Sequence, residues 1–477
     1  MTIDIDLKDT NPDVPKRPRE KVKKEKSPTN VDNAPKKKRK KIIILVILSL
    51  VLLGLGFLIY KGYIFSHDFG FRFRPEELFI REEKSLKKDP TGKYTNVLLV
   101  GLDTRENTGL LNTDTIMMAS YDYETNNITL LSIPRDFHVE VEEGVSWYVR
   151  INSIYSTAEQ KKEGTGMIAL QDAVERITGQ DIQYYAVVDF KAFVEIIDAV
   201  GGIDVNVENS FTARYPLGKD WQIVSFEAGP QTMDGETALI YSRSRYSNQN
   251  NEGSDFARAK RQQKVIIALK DKLLSSESLT NPKTILGILS SIDGHITVSE
   301  FTTKDIEAAL ELSKEFNENS GKIYSFVLDP SIGNYSLVEN KPMESGAYAI
   351  GPKAGFGNYT NIQEFVRLII TTPAIYEEKA KILIYDTGAG YQRVLTLTKE
   401  LNEDYPYLDI TFAGTLRADK EEIIVYSHEE GKNNNTVREL SKYLKTDLKT
   451  QPEYITTNLN GEDVTILIGS NIVIEEE

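Results

Sequence analysis

NVLLVGLD (residues 96–103) is an apolar run that ends in glycine and aspartate, and it reads as a buried strand. IMMASYDYETNNITLLSI (116–133) follows and reads as a β-hairpin, with Thr125-Asn126-Asn127 near its turn. Further on, FKAFVEIIDAVGG (190–202) has helical apolar spacing and stops at Gly201-Gly202. IDVNV (203–207) then alternates as a strand, and ALIYSRSRY (238–246) reads as another. SDFARAKRQQKVIIALKDKLL (254–274) is a long amphipathic helix with Ser254 as its N-cap. Alternating strands and helices predict an α/β sandwich.

Residues 331–361 are rich in Gly, Asn, Pro and Ser and read as a loop. QEFVRLII (363–370) is a closing helix, and TTPAIYEEKA (371–380) a short join. Beyond it, KILIYD (381–386), YLDITFAG (407–414), IIVYSH (423–428) and VTILIG (464–469) read as strands. YQRVLTLTKELNE and TVRELSKYLK are the helices between them, which makes a second, small α/β unit. TGAG (387–390), ahead of the first of these helices, is a strand-to-helix turn or an anion site.

Towards the N-terminus the chemistry changes. IIILVILSLVLLGLGFLIY (42–60) has no charge and no proline, and as a helix it spans about 30 Å, the thickness of a bilayer's hydrocarbon core. KKKRKK (36–41) precedes it and predicts a single pass with the N-terminus inside the cell. The chain carries a net charge of -14, while residues 1–41 hold 14 Lys/Arg against 7 Asp/Glu, so the remainder carries -21. A basic tail beside a membrane span points to an anionic lipid surface rather than nucleic acid. Its low apolar content predicts disorder. The absence of cysteine excludes disulfides, thiol catalysis and Cys-based metal sites.

Four places in the larger domain suit chemistry. Asp103 and Arg105, in GLDTR, project to the same side if the strand continues, and Asp114 follows in NTDT. Two carboxylates without His or Cys suit a hard cation such as Mg²⁺; an acidic surface turn is the alternative. Arg135, in PRD, ends a strand and either pairs locally with Asp136 or serves a site. Arg243 and Arg245 share one face of the expected strand, an arrangement that an anion would neutralise and solvent would also tolerate. Asp255, Arg258 and Gln262 fall on one helical stripe, with Val265, Ile266 and Leu269 expected on the opposite one. A divalent metal plus several arginines is what a pyrophosphate needs. No P-loop pattern is present, and His67, His138, His295 and His428 are scattered.

The stretch from about Tyr94 to Lys272 resembles the catalytic domain of the LytR-CpsA-Psr family, through NVLLVGLDTR, NTDTIMMASYD, LLSIPRDFHVEV, RINSIY, VVDFKAFVEIIDAVGGIDV, ALIYSRSRY and DFARAKRQQKVI. The resemblance implies an αβα sandwich with a mixed central sheet over 93–373, behind a cytoplasmic tail (1–41), a transmembrane helix (42–61) and a stalk (62–92). Residues 379–475 are similar to the LytR C-terminal domain. It implies transfer of a glycopolymer from a polyprenyl-pyrophosphate carrier to peptidoglycan outside the membrane. Asp103 and Asp114 would then hold Mg²⁺ (or Mn²⁺), and Asp103, Asp114 and Arg135 would serve catalysis. Arg105, Arg135, Arg243, Arg245, Asp255, Arg258 and Gln262 would bind the pyrophosphate. This chain has Asn112 where the family usually has arginine. That departure favours a second reading, a non-catalytic polyprenyl-phosphate binder, and a lipid pyrophosphatase is a third. An apolar pocket for the carrier would draw on FKAFVEII and VIIALKDKLL.

Overall fold

Two long strands, β1 (Tyr94–Asp103) and β2 (Asn112–Asp122), pair antiparallel at the centre of a six-stranded mixed sheet. This is a computed structural model, and it describes residues 85–472 apart from 105–110, 146, 218–219, 246, 275–294, 300–302, 330–336, 343–345, 347, 417–418, 430 and 456–460. The expected tail, membrane span and most of the stalk lie outside these residues. Among the described residues no helix is long and apolar enough to cross a membrane.

β3 (Ile128–Ser132) completes the expected hairpin, with Asn126 at φ 56° in its turn. A ribbon of β4 (His138–Glu140) and β5 (Tyr148–Arg150) leads to α1 (Ile154–Lys161) and α2 (Gly166–Thr178). β6 (Tyr184–Asp189) lies parallel to β1 and runs into α3 (Phe190–Ala199), which ends where Gly201 and Gly202 take φ of 81° and 83°. An excursion follows. β7 (Ile203–Val207) pairs with β10 (Gly229–Met233), and β8 (Phe211–Leu217) with β9 (Asp220–Phe226), away from the main sheet. Then come α4 (Gly235–Arg243) and α5 (Asp255–Leu274). β11 (Ile296–Val298) pairs with β6 at one edge. After α6 (Thr303–Glu318), β12 (Ile323–Val327) pairs parallel to β3 at the other edge. The expected loop contains a short ribbon, β13 (Val338–Asn340) with β14 (Ile350–Pro352).

Both faces of the sheet are covered, so its strands read as apolar runs rather than alternating ones. On one face Leu98, Val100, Met118, Leu131 and Val187 join a core with Leu170, Val174 and Ile177 of α2, and with Phe365, Val366 and Ile369 of α7 (Thr360–Thr371). On the other face lie α3, α4 and α5, and the sandwich is αβα as expected.

ALIYSRSRY, expected as a strand, is mostly helix α4. Asp234 caps it, its carboxylate accepting from Thr237 N at 2.9 Å, and the run from Ala238 to Ser242 is buried all round, which hides the helical period. Gly235 is required, because a Cβ there would overlap the Val194 backbone of α3. The serines that look strand-like return their hydroxyls to helix carbonyls, Ser242 to Leu239 O at 3.0 Å and Ser244 to Ile240 O at 2.6 Å.

TTPAIYEEKA is not a plain join but carries α8 (Pro373–Glu378). After it come β15 (Lys381–Asp386), α9 (Tyr391–Asp404), β16 (Asp409–Thr415), β17 (Ile423–Ser427), α10 (Asn434–Tyr443) and β18 (Val464–Ile468). Their sheet has the order β16-β15-β18-β17. In TGAG the Asp386 carboxylate accepts from Gly388 N at 3.1 Å and Gly390 N at 3.0 Å. The turn thus serves the chain's own anion. Glu378 ties α8 to the N-terminus of α10. Its carboxylate accepts from Asn435 N (3.0 Å), Asn435 Nδ2 (2.8 Å), Thr436 N (2.8 Å) and Thr436 Oγ1 (2.6 Å).

Because hydrogen bonds to a charged group are worth about 1.5–3 kcal/mol and a lost cap about 1 kcal/mol, Glu378→Ala should lower the unfolding free energy by about 2 kcal/mol. Urea titration checks this, and an unchanged midpoint would mean the cap carries no weight.

Candidate active site

Between the second face of the sheet and helices α3, α4 and α5 lies a cavity of about 560 Å³. Leu99, Ala186 and Val188 give it an apolar floor. Phe190, Phe193 and Ile196 of α3 and Leu239 of α4 wall it, with Val265, Ile266 and Leu269 of α5. These last three were expected opposite Arg258 and Gln262. They continue the same stripe instead, since steps of three and four residues stay on one face of a helix.

Charge enters the cavity through the strand and helix ends. Asp114 is the extra residue of a β-bulge: Gly101 faces Thr115 and Leu102 faces Thr113, which leaves Asp114 without a partner in the ladder. A regular strand would send Asp114 and Thr115 to opposite faces, and with the bulge both line the cavity. Asp114 Oδ1 accepts from Arg135 Nη1 at 2.8 Å. Arg135 Nε also lies 3.4 Å from Asp136, whose other oxygen lies 3.5 Å from Arg150 Nε. The local pairing and the site pairing of Arg135 therefore coexist.

Arg243 and Arg245 both line the cavity, though not from one strand face. Arg243 ends α4, Ser244 leaves the helix at ψ 129°, and Arg245 follows. Arg243 lies 3.8 Å over the Phe190 ring and donates to Tyr215 Oη at 2.8 Å. From α5, Arg258 pairs with Asp255 at 2.9 Å, and Gln262 reaches Ser242 O at 3.5 Å. Two helix segments thus converge on one cavity. The charged residues lining the cavity are Arg214, Arg243, Arg245 and Arg258 against Asp114 and Asp189, an excess of two positive charges in a chain of net charge -14.

The electrostatics are those of crowded cations. Burial pushes the Arg258 guanidinium down to about 10; Asp255 and Asp114 oppose this, and Arg135 and Arg245 add to it. Burial alone would raise Asp114, but Arg135, assisted by Arg258 and Arg245, outweighs it and holds the carboxyl below its ordinary value. Asp136 is raised by burial and by neighbouring Asp255, against the pull of Arg135 and Arg150.

A sequence profile of the LytR_cpsA_psr family matches residues 75–329. The chain belongs to this family. A Corynebacterium glutamicum relative, "Cell wall biosynthesis protein LcpA", is 30% identical over 43% of this chain and 45% of its own length. This chain therefore spans less than half of that protein. The Enterococcus faecalis protein TagU, named as a polyisoprenyl-teichoic acid–peptidoglycan teichoic acid transferase, is 30% identical over 51% of this chain and 74% of its own. The crystal structure of Bacillus subtilis TagV is 22% identical, with a TM-score of 0.43 over 58% of this chain and 98% of that one.

Of the residues this LytR-CpsA-Psr chain was expected to use, Asp114, Arg243, Arg245, Arg258 and Gln262 line the cavity, while Arg135 and Asp255 pair with members of that group. Asp103 ends β1, 5% exposed, opposite Asn112 and outside the cavity lining. Arg105 lies outside the described residues. Asn112 accepts from Ser156 Oγ at 3.5 Å. Among the described residues no three His, Asp or Glu side chains converge as a metal cage. Two aspartates fit Mg²⁺ only where phosphate oxygens and water complete its shell, which is how Mg²⁺ is commonly bound.

Arg261 carries no motif that marks it in the sequence. Its guanidinium is 3% exposed and donates to Tyr241 O and Glu252 O at 2.9 Å each, to Ser244 O and to the Glu252 carboxylate. It pins the corner between α4 and α5 that carries Arg243, Arg245 and Arg258. Arg150 was missed too, and so was the network in which His295 Nδ1 meets Asp189 at 2.7 Å and Lys191 meets His295 Nε2 at 3.1 Å.

Two outcomes are expected. Arg261→Met leaves Glu252 without its buried partner and should cost about 3–5 kcal/mol of stability, read by urea unfolding; a loss under about 1 kcal/mol would remove Arg261 from this role. Because the folded Asp114 carboxyl titrates below 3.8, it contributes stability above that pH that is lost as pH falls through its folded value. Carboxyl-carbon NMR should place its midpoint below 3.8 and move it upward in Arg135→Ala, and a midpoint indifferent to Arg135 would contradict the assigned pairing.

Proposed function

We propose that this protein is a phosphotransferase that moves a glycopolymer from a polyprenyl-pyrophosphate carrier to peptidoglycan on the outer side of the membrane, held there by residues 42–61. What carries the reading is the placement of a buried Arg258, beside the half-buried Arg243 and Arg245, at the edge of an apolar cavity. A lipid pyrophosphate has those two halves: an isoprenoid chain for the apolar walls and a diphosphate for the guanidinium groups. The family membership and the name of the Enterococcus faecalis relative support the same substrate class.

In this scheme Arg135, Arg243, Arg245 and Arg258 hold the diphosphate oxygens, and Gln262 orients it. Asp114 at the cavity, with Asp103 at the adjoining end of β1, would hold Mg²⁺, and the bound ion would supply positive charge to the diphosphate. A hydroxyl of a peptidoglycan sugar attacks the sugar-linked phosphorus and gives up its proton to solvent. The bond to the bridging oxygen breaks, and polyprenyl phosphate leaves. The guanidinium cluster stabilises the transition state because its charges are already in place and desolvated.

The test is incubation of the full chain with a lipid-pyrophosphate glycan and a peptidoglycan acceptor, with and without Mg²⁺. Transfer that needs the metal supports the proposal. Hydrolysis to polyprenyl phosphate and free glycan phosphate, without transfer, would make the protein a pyrophosphatase, and binding without turnover would make it a scaffold. Arg258→Ala should weaken donor binding about tenfold or more, with Arg258→Lys restoring it only in part, because a charge-assisted contact is worth about 1.5–3 kcal/mol and an ammonium cannot form the fork. Normal donor binding by Arg258→Ala would remove the diphosphate from this site.

A further inference from the structure

The β8–β9 hairpin stands off the main sheet, and its two sides differ in character. One side, with Phe211, Ala213, Tyr215 and Phe226, belongs to a buried core. The other presents Trp221 at 51% exposure and Ile223 at 69%. Arg214 is the cross-strand partner of Ile223, and its guanidinium lies 5.4 Å over the Trp221 ring. Trp221 and Arg214 also line the cavity between the sheet and α3–α5. The exposed apolar surface therefore continues, without a polar break at Trp221, into an apolar cavity. Water solvates such a surface poorly, and large exposed apolar side chains side by side mark a contact.

We propose that this hairpin docks on a phospholipid bilayer, with Trp221 and Ile223 entering the interfacial region and Arg214 facing the headgroup phosphates. The proposal rests on the reading that the cavity takes the chain of a membrane lipid. The chemistry favours a bilayer over a protein partner on two grounds. Tryptophan beside arginine is the pairing that membrane interfaces favour, the indole lying at headgroup depth and the cation in reach of phosphate. A chain drawn from a bilayer must also pass from membrane to cavity, and a continuous apolar surface spares it exposure to water. The hairpin then acts as the lip over which the carrier enters.

The sequence makes the test clean, because the chain has only two tryptophans, Trp147 and Trp221. The full chain carrying Trp147→Phe reports Trp221 alone, and Trp221→Phe reports Trp147. Each is combined with phosphatidylglycerol–phosphatidylcholine vesicles whose acyl chains are brominated, which quench only indoles in the bilayer. Trp221 emission should fall at least twofold while Trp147 emission stays within a tenth of its value in unbrominated vesicles. Equal quenching of the two, or none for Trp221, overturns the proposal. A concentration-dependent blue shift of Trp221 without lipid also overturns it, in favour of a second copy of the chain. Ile223→Ser, outside the cavity lining, should lower transfer from a full-length donor embedded in vesicles about fivefold, in line with losing an inserted aliphatic side chain. It should leave transfer from a short-chain, water-soluble donor unchanged. If wild-type protein turns over neither donor, the phosphotransferase reading fails, while the quenching result still decides the hairpin.

Discussion

At neutral pH a guanidinium keeps its proton even when buried, and Arg258 is 5% exposed. That constraint organises everything around it. Asp255, one turn back on the same helix, supplies the nearest compensation. Asp114 supplies a second negative charge across the cavity, and Arg135 and Arg245 undo much of the benefit. A fold that sought only stability would put a leucine there, since a buried ion pair is often no better than a hydrophobic replacement. Keeping several arginines close together gives the cavity lining an excess of two positive charges over its aspartates.

The arginines stay in place because of contacts that do not face the cavity. Arg261 lies between Tyr241 O, Ser244 O and Glu252, so the segment leaving α4 cannot drift from the start of α5. Gln263 extends the hold to the sheet, donating to Ser132 Oγ at 3.0 Å and Phe326 O at 2.7 Å. Arg261 and Gln263 anchor α5 on its two flanks, and the stripe between them meets the cavity. Rigid support of this kind lets charged groups keep their geometry against mutual repulsion.

The strands of the sheet were legible because each is a long apolar run with turn residues at its ends. NVLLVGLD, IMMASYDYETNNITLLSI and KILIYD needed only burial and punctuation to be read. ALIYSRSRY misled because a helix buried all round shows no period, and two arginines at i and i+2 imitate one strand face. Val265, Ile266 and Leu269 were assigned to the wrong side for a related reason. An apolar cavity wall and a protein core have the same composition, and only the third dimension tells them apart. Of the residues singled out in the sequence, the fold brings Asp114, Arg243, Arg245, Arg258 and Gln262 to one cavity and pairs Arg135 with Asp114. The sequence did not single out Arg261, whose partners are backbone carbonyls and Glu252, because a carbonyl leaves no mark in a pattern of side chains. The bulge that aims Asp114 was equally silent, being a count of residues between two strands rather than a residue type.

That count behaves like a reading frame. Between Thr113 and Thr115, β2 holds one residue more than β1 requires. Substitution at a neighbouring position leaves the frame intact, whereas loss of a single residue anywhere from 112 to 116 would close the ladder and swing a carboxylate out of the cavity. The geometry at this strand end is thus set by the number of residues in β2 more than by the identity of any one neighbour of Asp114.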